Sequence, residues 1–253
     1  MKKIICTYDK IDKLMEFINP KDFKLTIDEY HNFLKQYSFR DKAINGVLAH
    51  FKEFKSYCFL SATPIPNNLK PAIFNDIPEY MADWNTTDEI TVYPYHTDKP
   101  YMVAAKFIKT YKAKGSLNVN GIESKEAYFF INSVTEIKAI LKQTQLTEDD
   151  YRIICADNPK NRRTLEEYTI SSSADAPKKF NFITSKSFEG VDFHSETGLC
   201  FVVSNVQNRH TLVSIDMDIP QIVGRIRTKS NPFRNKVVHI FNTKATDHYT
   251  TFE

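Results

Sequence analysis

Glycine is scarce: the chain has 6 in 253 residues. Turns must therefore rest on Pro, Asn, Asp and Ser. Cysteine is nearly as scarce, and the four present, Cys6, Cys58, Cys155 and Cys200, stand at no metal-ligand spacing. That excludes a zinc-ribbon or disulfide-framework protein. Each lies in an apolar run (KIICTY, YCFLSA, RIICAD, GLCFVV), so all four are expected as reduced cysteines on buried strands in a reducing compartment. No apolar run approaches the roughly 18 residues that span a bilayer. The start, MKKIIC, turns polar at Thr7 and is too short for a secretory signal. A soluble, cytoplasmic protein without a membrane partner is expected. A strong excess of one charge is also lacking: the net charge is +3, below that of a typical dedicated duplex-DNA reader.

What is present is a core-forming composition, with 42% apolar and 26% charged residues. Short apolar runs alternate with stretches of helical spacing. KKIICT, FKLTI, YCFLSA and TVYPYH read as strands. IDKLMEFI reads as a helix stopped by Asn19-Pro20, and residues 41–54 as a second helix. The pattern then restarts. Helices are expected over 100–112, SVTEIKAILKQT, 161–168 and 219–227, with GSLNVNG as a loop. EAYFFIN, YRIICAD, FNFITS, GLCFVVS and KVVHIFN are the strands. Such alternation predicts parallel sheets covered on both faces. The Pro94 to Pro100 stretch suggests a boundary near 97, giving domains 1–97 and 98–253. Their net charges are −1 and +4, a slight basic bias in the second.

Four segments carry candidate chemistry. Asp28-Glu29-Tyr30-His31 follows an apolar strand, at the end where α/β proteins place ligands. One carboxylate there can hold Mg2+ and the next can orient a water toward a phosphate; an ordinary helix cap with a first-turn acid fits the same residues. Ser61-Ala62-Thr63-Pro64 offers two small hydroxyls at a strand exit, or simply a turn. Thr184-Ser185, followed by Glu189-Gly190-Val191-Asp192-Phe193, offers hydroxyls and close backbone approach to phosphates, or a loop. Gln221-Ile222-Val223-Gly224-Arg225-Ile226-Arg227 places two arginines beside a glycine, suited to phosphate oxygens or to a solvated helix face.

In this order the four segments resemble the superfamily 2 helicases and translocases of the DExH type. DEYH (28–31) matches motif II, SAT (61–63) motif III, TSKSFEGVDF (184–193) motif V and QIVGRIR (221–227) motif VI. CTYDK (6–10) is similar to the Thr-Tyr stretch ahead of motif II, and AYFFINSVTEI (127–137) to the opening of the second domain. The resemblance implies two RecA-like α/β domains, the first incomplete here, with ATP between them and nucleic acid across both. It implies that Asp28 holds Mg2+, Glu29 positions the attacking water and His31 couples that site to Ser61 and Thr63. Gln221 would sense the γ-phosphate, and Arg225 and Arg227 would act as arginine fingers. Thr184 and Ser185 would touch nucleic-acid phosphates, and Gly190 and Asp192, as cofactor-binding residues, would face the cleft or the ribose. DNA is favoured over RNA as the partner.

Two departures stand out. Many relatives carry the second motif VI arginine three residues after the first, where this chain has Thr228. No G-x-x-x-x-G-K-[ST] loop occurs, and only 27 residues precede Asp28. That loop cradles the nucleotide's phosphates. The expectation is a fragment of an ATP-dependent helicase that hydrolyses essentially no ATP by itself. The alternative is a degenerate, non-catalytic interaction or scaffold module within a larger DNA-processing complex.

Overall fold

Parallel strands organise the chain, as their apolar runs predict, but two regions build very different sheets from them. A computed structural model describes residues 3–82, 89–188 and 190–244. The chain divides into two units, Met1–Ala82 and Asp83–Glu253.

In the first unit, α1 (Ile11–Met15) precedes β1 (Lys24–Ile27), α2 (Asn32–His50) and β2 (Ser56–Phe59). The two strands pair in parallel, from Lys24 opposite Ser56 to Ile27 opposite Phe59. Alternate residues face opposite sides of a strand. Leu25, Ile27, Tyr57 and Phe59 therefore pack on Phe33, Ile44, Val47 and Phe51 of the helical layer. The opposite alternation, Lys24, Thr26, Ser56 and Cys58, is exposed. Coverage of both faces, expected from the strand pattern, does not hold in this unit.

Three further expectations change here. Residues 3–7, expected within a strand over KKIICT, have no regular structure, because no described strand pairs with them. The helix expected over 41–54 begins at Asn32 and is interrupted at Arg40 (φ −132°, ψ 24°). Burial of Phe33 before that break and Ile44 after it holds both halves on one core. Cys6 and Cys58 are exposed, whereas Cys155 and Cys200 are buried. The first pair lies outside any two-sided sheet.

The second unit contains β3 (Thr91–His96), α3 (Pro100–Lys114), β4 (Leu117–Val119), β5 (Ile122–Ser124), β6 (Glu126–Phe130) and α4 (Val134–Thr144). Then follow β7 (Tyr151–Ile154), α5 (Pro159–Leu165), β8 (Phe180–Ile183), β9 (Gly198–Val203), α6 (Asp218–Val223) and β10 (Lys236–Phe241). Six strands form one all-parallel sheet in the order β3-β10-β9-β6-β8-β7. On one face α3 and α4 supply Ala104, Ile108, Tyr111, Ile137 and Leu141. On the other, α6 supplies Ile219, Ile222 and Val223 against Phe130, Cys200 and Val202. Burial from both faces fits the apolar runs of β6 and β9, while β7 and β8 each bury one polar side chain, Arg152 donating from Nε to Asn181 Oδ1 at 2.7 Å. Phe129 of central β6 stacks on Phe182 at 5.5 Å and on Phe201 at 4.8 Å.

TVYPYH is β3, and it pairs along its whole length with β10. It therefore belongs with the second sheet, and the chain divides ahead of position 97. Pro94 fits on β3 because an edge strand need not donate every backbone N–H. GSLNVNG is not a loop. It enters the antiparallel β4–β5 hairpin, closed by Asn120 (φ 51°) and Gly121 (φ 85°). Two successive positive φ values are the signature of the tight turn that Asn-Gly favours. The helix expected over 161–168 starts at Pro159, capped by Asn158, whose side chain accepts from the Asn161 N–H. The helix expected over 219–227 ends at Val223. Arg225 to Arg227 instead pair with Phe193: the Phe193 N–H donates to Arg225 O at 2.7 Å, and the Arg227 N–H to Phe193 O at 2.9 Å. No helix among the described residues is long and apolar enough to cross a membrane.

Candidate functional site

The first unit presents one cluster. The chain leaves β1 at Ile27 and turns sharply: Glu29 adopts a left-handed backbone (φ 50°). For a residue with a Cβ that conformation costs about 1–3 kcal/mol and persists only where surroundings enforce it. Here they do. The Glu29 N–H donates to Asp28 Oδ1 at 3.0 Å. The Tyr30 N–H donates to Leu60 O at 3.1 Å, and the Leu60 N–H to Ile27 O at 2.8 Å, so the two strand exits are laced together.

His31 is fully buried. Its Nδ1 is hydrogen-bonded to Ser61 Oγ at 2.7 Å and lies 3.2 Å from Glu29 Oε2. Ser61 Oγ also accepts the Thr63 N–H at 3.0 Å. Glu29, His31, Ser61 and Thr63 thus form one connected group across 34 residues of sequence, with Asp28 exposed at its rim. An exposed carboxylate beside a second one suits Mg2+, which takes one or two protein carboxylates and fills its shell with phosphate and water. Among the described residues no group of three or more His, Cys, Asp or Glu is placed to hold a metal ion.

The second unit presents two clusters. At the C-terminal ends of β6, β7 and β8 lies a groove of about 530 Å3, whose lining includes Ser133, Lys160, Thr184, Ser185, Lys186 and His210. The α4 N-terminus opens there: Ser133 Oγ takes the Glu136 N–H at 3.4 Å. Thr184 is buried under the rim, its N–H donating to Ile154 O at 3.0 Å. Asn132 ties the rim together, accepting the Ser185 N–H at 3.2 Å and donating to His210 O at 2.6 Å. Two lysines, hydroxyls and a helix N-terminus make a surface complementary to phosphate. Glu136 also lines the groove and moderates its charge.

The other cluster gathers Asp192, Gln221, Arg225 and Arg227. Arg227 Nε donates to Asp192 Oδ1 at 2.8 Å, and Arg225 Nη1 lies 3.7 Å from the same oxygen. Arg225 is largely buried, donating from Nε to Gln221 O at 2.8 Å and from Nη2 to Gln221 Oε1 at 3.3 Å. Gly190 has a φ of 73°, which a glycine accepts without strain. Glu189 lies outside the described residues. Thr228 accepts the Ser195 N–H through Oγ1 at 3.0 Å.

The segments singled out in the sequence therefore meet in pairs: 28–31 with 61–63, and 190–192 with 221–227. Thr184 and Ser185 stand apart from the arginine cluster, on the groove. Lys160 and His210 lie outside every segment quoted from the sequence, and Asn132, Ser133 and Lys186 lie inside such segments without a role assigned to them. The available signal was a cap residue directly after a buried strand, as in Asn132-Ser133 and Asn158-Pro159. No known protein family's sequence profile matches the chain, and no curated protein matches it.

Proposed function

We propose that the chain is the catalytic-core portion of a nucleic-acid helicase or translocase of the DExH type, built on RecA-like units and gripping a single strand through its backbone. The observation that carries this reading is the buried His31, bonded to Ser61 and facing the Glu29 carboxylate. A buried imidazole joining an acidic loop to a distant hydroxyl turn is a means of transmitting a change at one to the other. In a cytoplasmic motor of this class Asp28 would hold Mg2+ and Glu29 would orient water. Gln221, Arg225 and Arg227 would meet the charge that builds on transferred phosphoryl oxygens. Bound Mg2+–ATP supplies the phosphoanhydride to be broken. The groove lined by Lys160, Thr184, Ser185 and Lys186 would take backbone phosphates, with DNA the favoured strand.

Strand binding and hydrolysis separate in this proposal, because the 253 residues contain no phosphate-cradling G-x-x-x-x-G-K loop. Fluorescence anisotropy with labelled single strands of about 12 nucleotides, DNA and RNA, tests the first half. Binding is expected to weaken steeply with salt. Removing the Lys186 charge as Lys186→Ala should reduce the logarithmic salt slope by about 0.7, the value for one neutralised phosphate on a single strand. No binding at low salt overturns it. A coupled ATPase assay tests the second half: hydrolysis at background is expected, and a Mg2+-dependent rate abolished by Glu29→Gln would refute that expectation.

A further inference from the structure

The Asp28–Glu29 turn is held from a third side that the strand ends do not supply. The Tyr8 hydroxyl donates to the Asp28 carbonyl and reaches the Glu29 carbonyl at 3.5 Å. These are the carbonyls flanking the left-handed Glu29 backbone. Tyr8 cannot swing freely. Its ring meets Phe33 edge-on at 5.3 Å, and the Arg40 guanidinium sits over it, 5.5 Å from the centroid. Arg40 is itself fixed, by an ion pair with Asp9 and by donation from Nη1 to Gln36 Oε1 at 2.6 Å. The hydrogen bond from Arg40 holds the Asp9 carboxyl below its ordinary pKa of 3.8, so the pair stays charged at neutral pH. The break in α2 falls at Arg40, the residue that closes this clamp.

We infer that Tyr8 is a positioning residue for the Asp28 carboxylate: its hydroxyl fixes the left-handed turn that presents the exposed Asp28 side chain to a divalent cation. The inference rests on reading Asp28 as the cation ligand. Tyrosine suits the task because it joins a rigid apolar body to one polar tip. Phenylalanine would fill the same space between Phe33 and Arg40 and leave the two carbonyls without that donor.

The probe is Mn2+ alone, with the free ion measured by electron paramagnetic resonance and bound-ion hydration by water-proton relaxation. Tyr8→Phe is expected to weaken Mn2+ binding about 5- to 10-fold and to alter the relaxation of the bound ion, with circular dichroism unchanged. A merely structural tyrosine would lower the melting temperature and leave the Mn2+ affinity of the folded protein intact. Arg40→Gln loosens the clamp one step further out and is expected to weaken binding about 2-fold; it carries the test if Tyr8→Phe misfolds. Asp28→Asn should abolish binding. If Asp28→Asn abolishes binding and neither clamp variant changes it, the role of Tyr8 is refuted and the carboxylate site stands. If Asp28→Asn has no effect, or the unaltered chain binds no Mn2+ at millimolar concentration, the cation site fails and the inference falls with it.

Discussion

β2 and β9 are both parallel strands with a cysteine in an apolar run, yet they have opposite fates. β9 is buried at all six positions, between β10 and β6 and between two helical layers. β2 alternates between exposed and half-buried positions, with β1 as its neighbour and one covered face among the described residues. Burial is thus set by what a strand is placed between, and the run itself only permits it. The consequence reaches function. In the second unit the groove and the arginine cluster stand on a deep two-sided core. In the first, the acidic turn is held by local hydrogen bonds and an aromatic group of Tyr30, Phe33, Phe59 and Phe74.

Core truncation should expose that difference most strongly. Phe129 is fully buried and stacked on both neighbouring strands, so Phe129→Ala leaves a void that a close-packed centre cannot refill. A cost of about 5 kcal/mol is expected, the upper end for such a deletion. Phe51 is equally buried but packs edge-on against Tyr57 and Phe59 in the one-sided layer. That layer can relax toward the gap, so Phe51→Ala is expected to cost about 3 kcal/mol. Urea unfolding of both variants measures the pair. Equal costs would mean that the first unit is as tightly packed as the second.

The same contrast explains how far the sequence could be read. EAYFFI and GLCFVV announce buried parallel strands because their apolar residues fall on both faces; FNFI is buried as fully although Asn181 stands on one of its faces. KKIICT carries the same announcement but lacks a pairing partner among the described residues. The β4–β5 hairpin hid because its strands are three residues each, too short for alternation to register, although Asn120-Gly121 marks its turn. In the sites, the adjacency of DEYH and SAT follows from two neighbouring parallel strands ending at one edge. The path of Arg225 to Arg227 does not, since it depends on pairing with Phe193 more than thirty residues away. Tyr8 and Lys186 fall inside quoted segments without a role of their own, Lys160 and His210 fall outside them, and all four acquire meaning only from what the fold sets beside them.

A smaller effect should separate the units by pH. Burial holds the His239 imidazole below its ordinary pKa of 6.5, with Ser204 Oγ at 3.1 Å from Nε2 and Phe241 stacked on the ring. The folded pKa is depressed, so the unfolded chain takes up the proton first. The stability contribution is complete above about pH 6.5 and is lost as pH falls through the folded value. In the first unit the Asp9 carboxyl is also depressed, but from 3.8, so its contribution is lost only in stronger acid. Between pH 6.5 and 4.5 the protection of backbone amides from hydrogen exchange, taken relative to their intrinsic rates, should therefore fall in the second sheet more than in the first unit, and His239→Gln should flatten that response. A response unchanged in the variant would remove His239 as its origin.

The smallest expected energy, and the most direct view of the contrast, comes from the thiols. Cys200 is sealed in β9, and burial pushes its thiol pKa up to about 12. Cys155 is buried at the end of β7 and is also shifted up by burial. Cys6 and Cys58 are exposed. A thiol reagent at pH 8 should label two cysteines quickly in the native protein and the other two only on unfolding, since the thiolate is the reacting form. Cys200→Ser should cost about 1–3 kcal/mol for burying a hydroxyl, and Cys58→Ser less than about 0.5 kcal/mol. Mass spectrometry of the labelled peptides identifies which pair reacted. Cys58 labelling as slow as Cys200 would mean that the open face of β1 and β2 is covered in solution, and the acidic turn would then rest on more than its own hydrogen bonds.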